Sequence, residues 1–128
     1  MSSNKRPISP FMIGPYYRPQ LTSMLSILHR ITGVVLTVLG TPLMLWWLIA
    51  LGQGPEAFDA MREFLGGVLG SLALLAVNFS LCYHLFNGVR HMIWDTGRGL
   101  ELKSVYRGGV AVAVVSVVAT AVLGLVLR

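Results

Sequence analysis

Three long runs without a charged residue constrain this chain more than any other feature. They extend from Ile31 to Pro55, from Phe64 to Val89 and from Gly108 to Leu127, and within them the middle run carries a single histidine, His84. Each run reaches or exceeds the ~20 residues that a helix needs to cross the apolar core of a bilayer. The sequence therefore predicts three transmembrane helices.

The composition excludes a soluble globular domain. Of the 128 residues, 55% are apolar and only 12% are charged, whereas globular chains carry about 25% charged residues. We do not expect a secretory signal, because the first apolar run continues far beyond the 7–15 residues of a signal core. We expect an all-α membrane protein with a single domain over 1–128 and helices over about 21–51, 64–93 and 108–127.

The distribution of charge predicts the topology. The net charge of +5 does not form a soluble basic face that would suit nucleic acid, because the positive residues lie at the borders of the apolar runs. The segment before the first helix is basic, the first connection carries a net −2 and the second connection a net +2. Because positive flanks mark the cytoplasmic side, we expect the N-terminus and the second connection inside.

The N-terminal segment is predicted to be an extended arm. Residues 1–20 hold four of the six prolines, which disfavours a helix there. The polar residues that follow lie at helical spacing, so the first helix is expected to begin near Leu21 and to project beyond the hydrocarbon. Pro42 is expected to kink this helix.

Two clusters of ionisable residues near the membrane are candidates for chemistry, since such residues are costly there. The first consists of Ser26, His29 and Arg30 at the start of the first helix. The second runs from His84 to Asp95 at the end of the second helix.

In the second cluster the residues share one helical face. His84, Gly88, His91 and Asp95 are spaced by 4, 3 and 4 residues. His84 lies six residues before Arg90, which places it about 9 Å deeper along the helix axis.

Three roles for His84 are consistent with this position: a packing residue, a proton carrier or an axial haem ligand. Gly88 leaves room for a flat macrocycle against the backbone. Haem propionates need cationic or hydrogen-bonding partners near the polar interface, and the residues available for this are His29, Arg30, Arg90 and His91. Because His84 and His91 lie on one face, they cannot bind opposite sides of one iron, so the chain offers half of such a site.

Two motifs resemble those of a known family. The first is Arg18-Pro19-Gln20-Leu21-Thr22-Ser23 followed by Ser26-Ile27-Leu28-His29-Arg30-Ile31-Thr32-Gly33, and the second is His84-x-x-x-Gly88-x-Arg90-His91-x-x-x-Asp95. Their residues, order and spacing resemble the cytochrome b subunit of succinate dehydrogenase, the membrane anchor of respiratory complex II. The resemblance covers roughly residues 6 to 107.

The resemblance implies a subunit of succinate:quinone oxidoreductase. In that family a flavoprotein subunit oxidises succinate and an iron–sulfur subunit passes electrons to quinone, either ubiquinone or menaquinone, at the membrane. This chain would not contact succinate. It would hold the soluble subunits at the membrane together with a second small anchor subunit, bind one haem b between the two anchors and form part of the quinone site.

The resemblance also implies roles for individual residues. His84 would be the axial ligand of the haem iron, with the second histidine on the sister anchor, and His29, Arg30, His91 and Gly88 would adjoin the haem. Ser26 and Arg30 would belong to the quinone site.

Proton delivery to the quinone is the role predicted for Asp95, together with Glu101 in the second connection. The alternative for Asp95 is an ion pair with His91 or Arg98, and for Glu101 a solvated loop charge.

The expected location is the bacterial cytoplasmic membrane or the mitochondrial inner membrane, with the N-terminus on the cytoplasmic or matrix side. Two other functions remain open from the sequence. One is a haem-free structural anchor for a soluble redox module, and the other is a small transporter subunit.

Overall fold

Helices dominate the part of the chain that the structure describes. The computed structural model describes residues 19–126. In chain order, the elements are α1 (Leu21–Val35), a π-helical turn (Leu36–Gly40), α2 (Thr41–Gln53), α3 (Pro55–Gly66), α4 (Val68–Asp95) and α5 (Leu102–Val126). Three helices, Leu21–Gln53, α4 and α5, are long and apolar enough to cross a membrane. The predicted all-α fold is confirmed, while the arm predicted over 1–20 lies outside the described residues except for its last two.

The first spanning helix changes its winding just before Pro42. Proline has no N–H to donate to the carbonyl four residues earlier, which interrupts the regular ladder. Instead, the Thr41 backbone N–H and the Thr41 hydroxyl both donate to the Leu36 carbonyl, the hydroxyl at 3.3 Å. The irregularity expected at Pro42 therefore takes the form of a π-helical turn.

The first connection, expected to be a loop, is largely helical. Pro55 occupies the first helical position of α3, and Glu56 lies in the first turn, where a negative charge complements the helix dipole. Phe58, Met61 and Leu65 recur at helical spacing, and Met61 is buried. The spanning helices were predicted from uncharged runs. This segment contains charged residues, so its helical period was not recognised.

The predicted start of the second spanning helix, at 64, is wrong by a few residues. Residues 64–66 belong to α3, and Gly67 has an extended backbone that separates α3 from α4. A Cβ on Gly70 would clash with the backbone of Phe64 and Leu65. The absence of a side chain there allows α4 to start close against the end of α3.

The predicted start of the third helix, at 108, is also wrong, because α5 begins at Leu102. Lys103 and Arg107 lie inside its first turns. The loss of charge marks the edge of the hydrocarbon, whereas the helix continues into the polar interface. The connection from α4 is consequently short, and it turns through Gly97 and Gly99, which have φ of 76° and 72°.

Helix α4 packs against α1 through a buried tyrosine. Tyr83 is only 1% exposed and donates its hydroxyl proton to the Leu25 carbonyl at 2.8 Å. Leu25 and Tyr83 form an apolar cluster with Val112 of α5. This cluster joins the three spanning helices.

Helix α4 also packs against α5 through polar contacts. The Asn78 amide donates to the Thr120 carbonyl at 3.2 Å, and the Arg90 guanidinium donates to the Val105 carbonyl at 2.7 Å. Gly109 of α5 adjoins Leu25, since a Cβ there would lie 2.6 Å from the leucine side chain. The start of α1 and the α4–α5 connection therefore lie at the same end of the bundle.

Replacing Tyr83 with phenylalanine is expected to weaken the contact between α1 and α4. The change deletes one interhelical hydrogen bond and keeps the ring. We expect the free energy of unfolding to fall by about 0.6 to 1.7 kcal/mol, the range measured for such bonds in membrane proteins. A denaturation titration in mixed detergent micelles would measure it. Tyr106→Phe is the matched control, because Tyr106 is exposed, and an equal loss in both variants would contradict the prediction.

Candidate functional site

The two clusters of ionisable residues meet where α1 faces α4. The rings of His29 and His84 stack with their centroids 3.9 Å apart and their planes 9° apart. His91 meets His29 edge-on at 5.2 Å and stacks on Trp94 at 5.2 Å. Four aromatic rings thus form a continuous row along the interface, from the interior of α4 to its last turn.

One nitrogen of His84 is fixed by hydrogen bonds to α1. Its Nδ1 lies 3.1 Å from the His29 carbonyl oxygen and 3.3 Å from the Thr32 hydroxyl oxygen. The Thr32 hydroxyl donates its own proton to the same His29 carbonyl at 2.9 Å. Both neighbours of Nδ1 are therefore acceptors.

This arrangement assigns the tautomer of His84. An imidazole nitrogen that faces two acceptors must carry a proton, so in the neutral ring Nε2 holds the lone pair. Within residues 19–126 no protein group forms a hydrogen bond with Nε2 of His84. The ring thus has a nitrogen available for a ligand.

A glycine on α1 allows the His84 ring to approach. A Cβ on Gly33 would lie 3.1 Å from Cε1 of His84, which is tighter than ordinary van der Waals contact. Any larger residue at this position would press on the ring and change its orientation.

A groove of about 610 Å³ opens beside this ring, within the usual range for cofactor sites. The residues that line it are Arg30, Gly33, Val34, Leu36, Thr37, Val38 and His84. Most of them are apolar, Arg30 is exposed, and the groove is open on one side. Gly88 adds free space on α4, because a Cβ there would meet nothing within 4 Å.

The residues around the groove suit a flat, apolar group with a metal at its centre and acidic groups at its edge. His84 offers a neutral nitrogen, which is a common axial ligand of haem iron. Nδ1 of His29 is buried and has no hydrogen-bond partner within the described part of the chain, and Arg30 supplies a cation. These donors fit the carboxylates of haem.

The remaining predicted residues lie around this centre. Ser26 is half-buried on α1, one turn before Arg30, and is not among the residues lining the groove. Asp95 is the last residue of α4 and is exposed, as is Glu101 just before α5.

Arg90, one of the cations considered for the haem edge, lies elsewhere. It is 7% exposed, faces α5, donates to the Val105 carbonyl and covers the Trp94 ring at 4.1 Å. Its position six residues after His84 turns it about 120° around the helix from that residue.

Sequence reasoning gave no role to Thr32 or Gly33, although both belong to the first motif. The spacing of Thr32, three residues after His29, predicts the hydroxyl's bond to the His29 carbonyl. The contact of both residues with His84 joins positions more than 50 apart in the chain, so only the packing of α1 on α4 reveals it.

Comparisons with known proteins agree with this architecture. A family described as succinate dehydrogenase/fumarate reductase transmembrane subunit matches residues 2–123. The chain is 39% identical to the succinate dehydrogenase cytochrome b556 subunit of Rickettsia prowazekii over 94% of this chain and 91% of that protein. It is 37% identical to the subunit of the same name from Paracoccus denitrificans, over 92% and 88% of the two chains.

A eukaryotic relative is similar to the same extent. The mitochondrial succinate dehydrogenase cytochrome B subunit of Schizosaccharomyces pombe is 38% identical, over 88% of this chain and 63% of that protein. The bacterial and mitochondrial relatives and the three spanning helices fit a multi-pass protein of an inner membrane. With its fold, its motifs and its extensive identity to these subunits, this chain belongs to the succinate dehydrogenase/fumarate reductase transmembrane subunit family, as a succinate dehydrogenase cytochrome b subunit.

Proposed function

We propose that this chain binds one haem b as a membrane anchor of succinate:quinone oxidoreductase, with His84 as an axial ligand through Nε2. The observation that carries the proposal is the hydrogen bonding of His84. Nδ1 is committed to two acceptors on α1, which leaves the Nε2 lone pair free beside an apolar groove. Ligating histidines commonly donate their other N–H to a carbonyl in this way.

The residues in and beside the groove would have different roles in holding the cofactor. Bound haem b supplies one-electron transfer. Gly33 lets the His84 ring lie close to α1 and Gly88 leaves space open on α4, while His29 and Arg30 would donate hydrogen bonds to propionates. The groove is open on one side, and among the described residues that line it His84 is the one histidine. A second small anchor subunit seated against the open side would supply a second histidine.

Replacing His84 with alanine is expected to abolish the absorption spectrum of low-spin, six-coordinate haem b in the purified complex. The change removes the only histidine among the described residues that line the groove. Assembly is checked by succinate oxidation with a soluble artificial acceptor in the complex purified from the membrane, because that activity is present there only if the anchor still holds the soluble subunits. An unchanged spectrum in an assembled variant would contradict the assignment, and a wild-type complex without any haem band would instead support the haem-free structural anchor.

The partners are a flavoprotein subunit, an iron–sulfur subunit and the second anchor. The end of the bundle that holds the start of α1 and the α4–α5 connection carries most of the lysine and arginine residues found within residues 19–126. The positive flanks support a cytoplasmic or matrix position for this end, where the soluble subunits would dock. The many exposed apolar side chains of α2, α4 and α5 suit lipid and the second anchor.

Ser26 and Arg30 form the contribution of this chain to the quinone site. They lie one turn apart near the start of α1, which lets a hydroxyl and a cation face one pocket formed with partner subunits. Both donate hydrogen bonds. As a quinone oxygen gains negative charge during reduction, such donors stabilise the charged state more than the starting state.

Removing either donor is expected to slow quinone reduction by about tenfold or more, because a hydrogen bond to a charged group contributes about 1.5 to 3 kcal/mol. The variants are Ser26→Ala and Arg30→Leu, and the assay compares succinate–quinone reductase activity with succinate oxidation by a soluble acceptor. Arg62→Leu, an exposed cation on α3, is the matched control. Unchanged quinone reduction in the assembled variants would contradict a role at the quinone, whereas equal loss of both activities would indicate failed assembly instead.

Asp95 and Glu101 bring protons to the quinone from the aqueous side. Reduction to quinol consumes two protons, and a pocket covered by protein needs titratable groups or water to deliver them. Both carboxyl groups are exposed at the ends of the short α4–α5 connection, and Asp95 follows His91 by one turn of α4. Asp95 therefore lies at the exposed end of α4, one turn beyond a histidine of the row of rings between α1 and α4.

The Asp95→Asn variant is expected to keep haem and assembly but to lose quinone reductase activity increasingly as pH rises, because protons are then scarce. Activity should be measured from pH 6 to pH 9 beside Asp59→Asn, which removes an exposed carboxylate of α3. A ratio of variant to wild-type activity that stays constant over this range would contradict the proton role.

A further inference from the structure

Thr32 is the only side chain within residues 19–126 that forms a hydrogen bond with the His84 ring. It is 2% exposed, so neither lipid nor water competes for its hydroxyl. The other partner of Nδ1 is a backbone carbonyl, that of His29, which no substitution of a side chain removes. Within residues 19–126, Thr32 is therefore the one residue whose substitution would remove a hydrogen-bond partner of this ring nitrogen.

The bond from Thr32 to the His29 carbonyl fixes the role of the hydroxyl. A hydroxyl has one proton and two lone pairs. The proton is directed at the His29 carbonyl, at 2.9 Å, so a lone pair faces Nδ1 of His84 at 3.3 Å. Thr32 thus acts as an oriented acceptor, and the same side chain connects both partners of the His84 N–H.

We propose that Thr32 is a positioning residue that sets the electron donation of His84 and thereby lowers the reduction potential of the haem. This inference rests on the proposed function, since it requires His84 to bind iron. An acceptor on one ring N–H raises the basicity of the other nitrogen. A more basic ligand stabilises ferric over ferrous iron, and hydrogen bonding around the ligands is one of the means by which a protein tunes haem.

Valine and serine at position 32 separate the hydroxyl from the bulk of the side chain. Thr32→Val has nearly the same shape and no acceptor, whereas Thr32→Ser keeps the hydroxyl and lacks the methyl group. Thr120→Val is the matched control, because Thr120 is a buried threonine on α5 whose hydroxyl donates to the Ser116 carbonyl. It lies outside the groove lining.

The experiment is a potentiometric titration of haem in the intact purified complex, followed by the absorption band of the reduced haem. In Thr32→Val we expect the ratio of reduced to oxidised haem at a fixed potential to rise by on the order of tenfold, the lower end of the effect that such partners have on metal affinity, which corresponds to about 59 mV for one electron. Thr32→Ser is expected to titrate like the wild type, and so is Thr120→Val.

Three results would overturn the proposal while leaving the haem assignment intact. One is a wild-type potential in a haem-loaded Thr32→Val complex. Another is a Thr32→Ser complex as altered as Thr32→Val, which would indicate a packing role of the methyl group. The third is an equal shift in Thr120→Val, which would indicate a general effect of losing a buried threonine. Failure of the proposed function itself is recognised separately, by a His84→Ala complex with an unchanged spectrum.

Discussion

Lipid offers no hydrogen-bond partner, so each polar group within the spanning helices must find one inside the protein. In this chain the partners are mostly backbone carbonyls of neighbouring helices. Tyr83 binds the carbonyl of Leu25, Asn78 that of Thr120 and Arg90 that of Val105. These bonds hold α4 against α1 and α5. The positions of the side chains at the site depend on this packing.

The two sides of α4 serve different purposes. The side that faces α5 buries the polar residues Asn87 and Arg90 between the helices, and the smaller groove beside Arg90 is lined almost entirely by apolar side chains. The side that carries His84 faces α1 only in part, and a groove remains next to the ring. If α1 covered this side of α4 completely, His84 would be buried as a packing residue. The open side is what makes a site shared with a second subunit physically reasonable.

The contact between His29, Thr32 and His84 illustrates how the proposed haem ligand would be oriented before the cofactor binds. A carbonyl and a hydroxyl select one tautomer of the ring, and Gly33 permits the ring to lie close to α1. The ring also stacks on His29, whose own Nδ1 is buried without a partner in the described part of the chain. A ligand with acidic groups would satisfy that nitrogen, so the same few residues orient the ring and attract the ligand.

The sequence alone determined the number and type of the spanning helices, because uncharged runs of this length have one stable conformation in a bilayer. It also indicated His84, since a histidine deep in such a run is costly. Charge patterns could not place the helix ends, as the early start of α5 and the helix α3 show. The tertiary structure alone decided which neighbouring helix each face meets: it set Arg90 against α5 and joined Thr32 to His84. Contacts between residues far apart in the chain depend on how helices pack, which the period of a single helix does not specify.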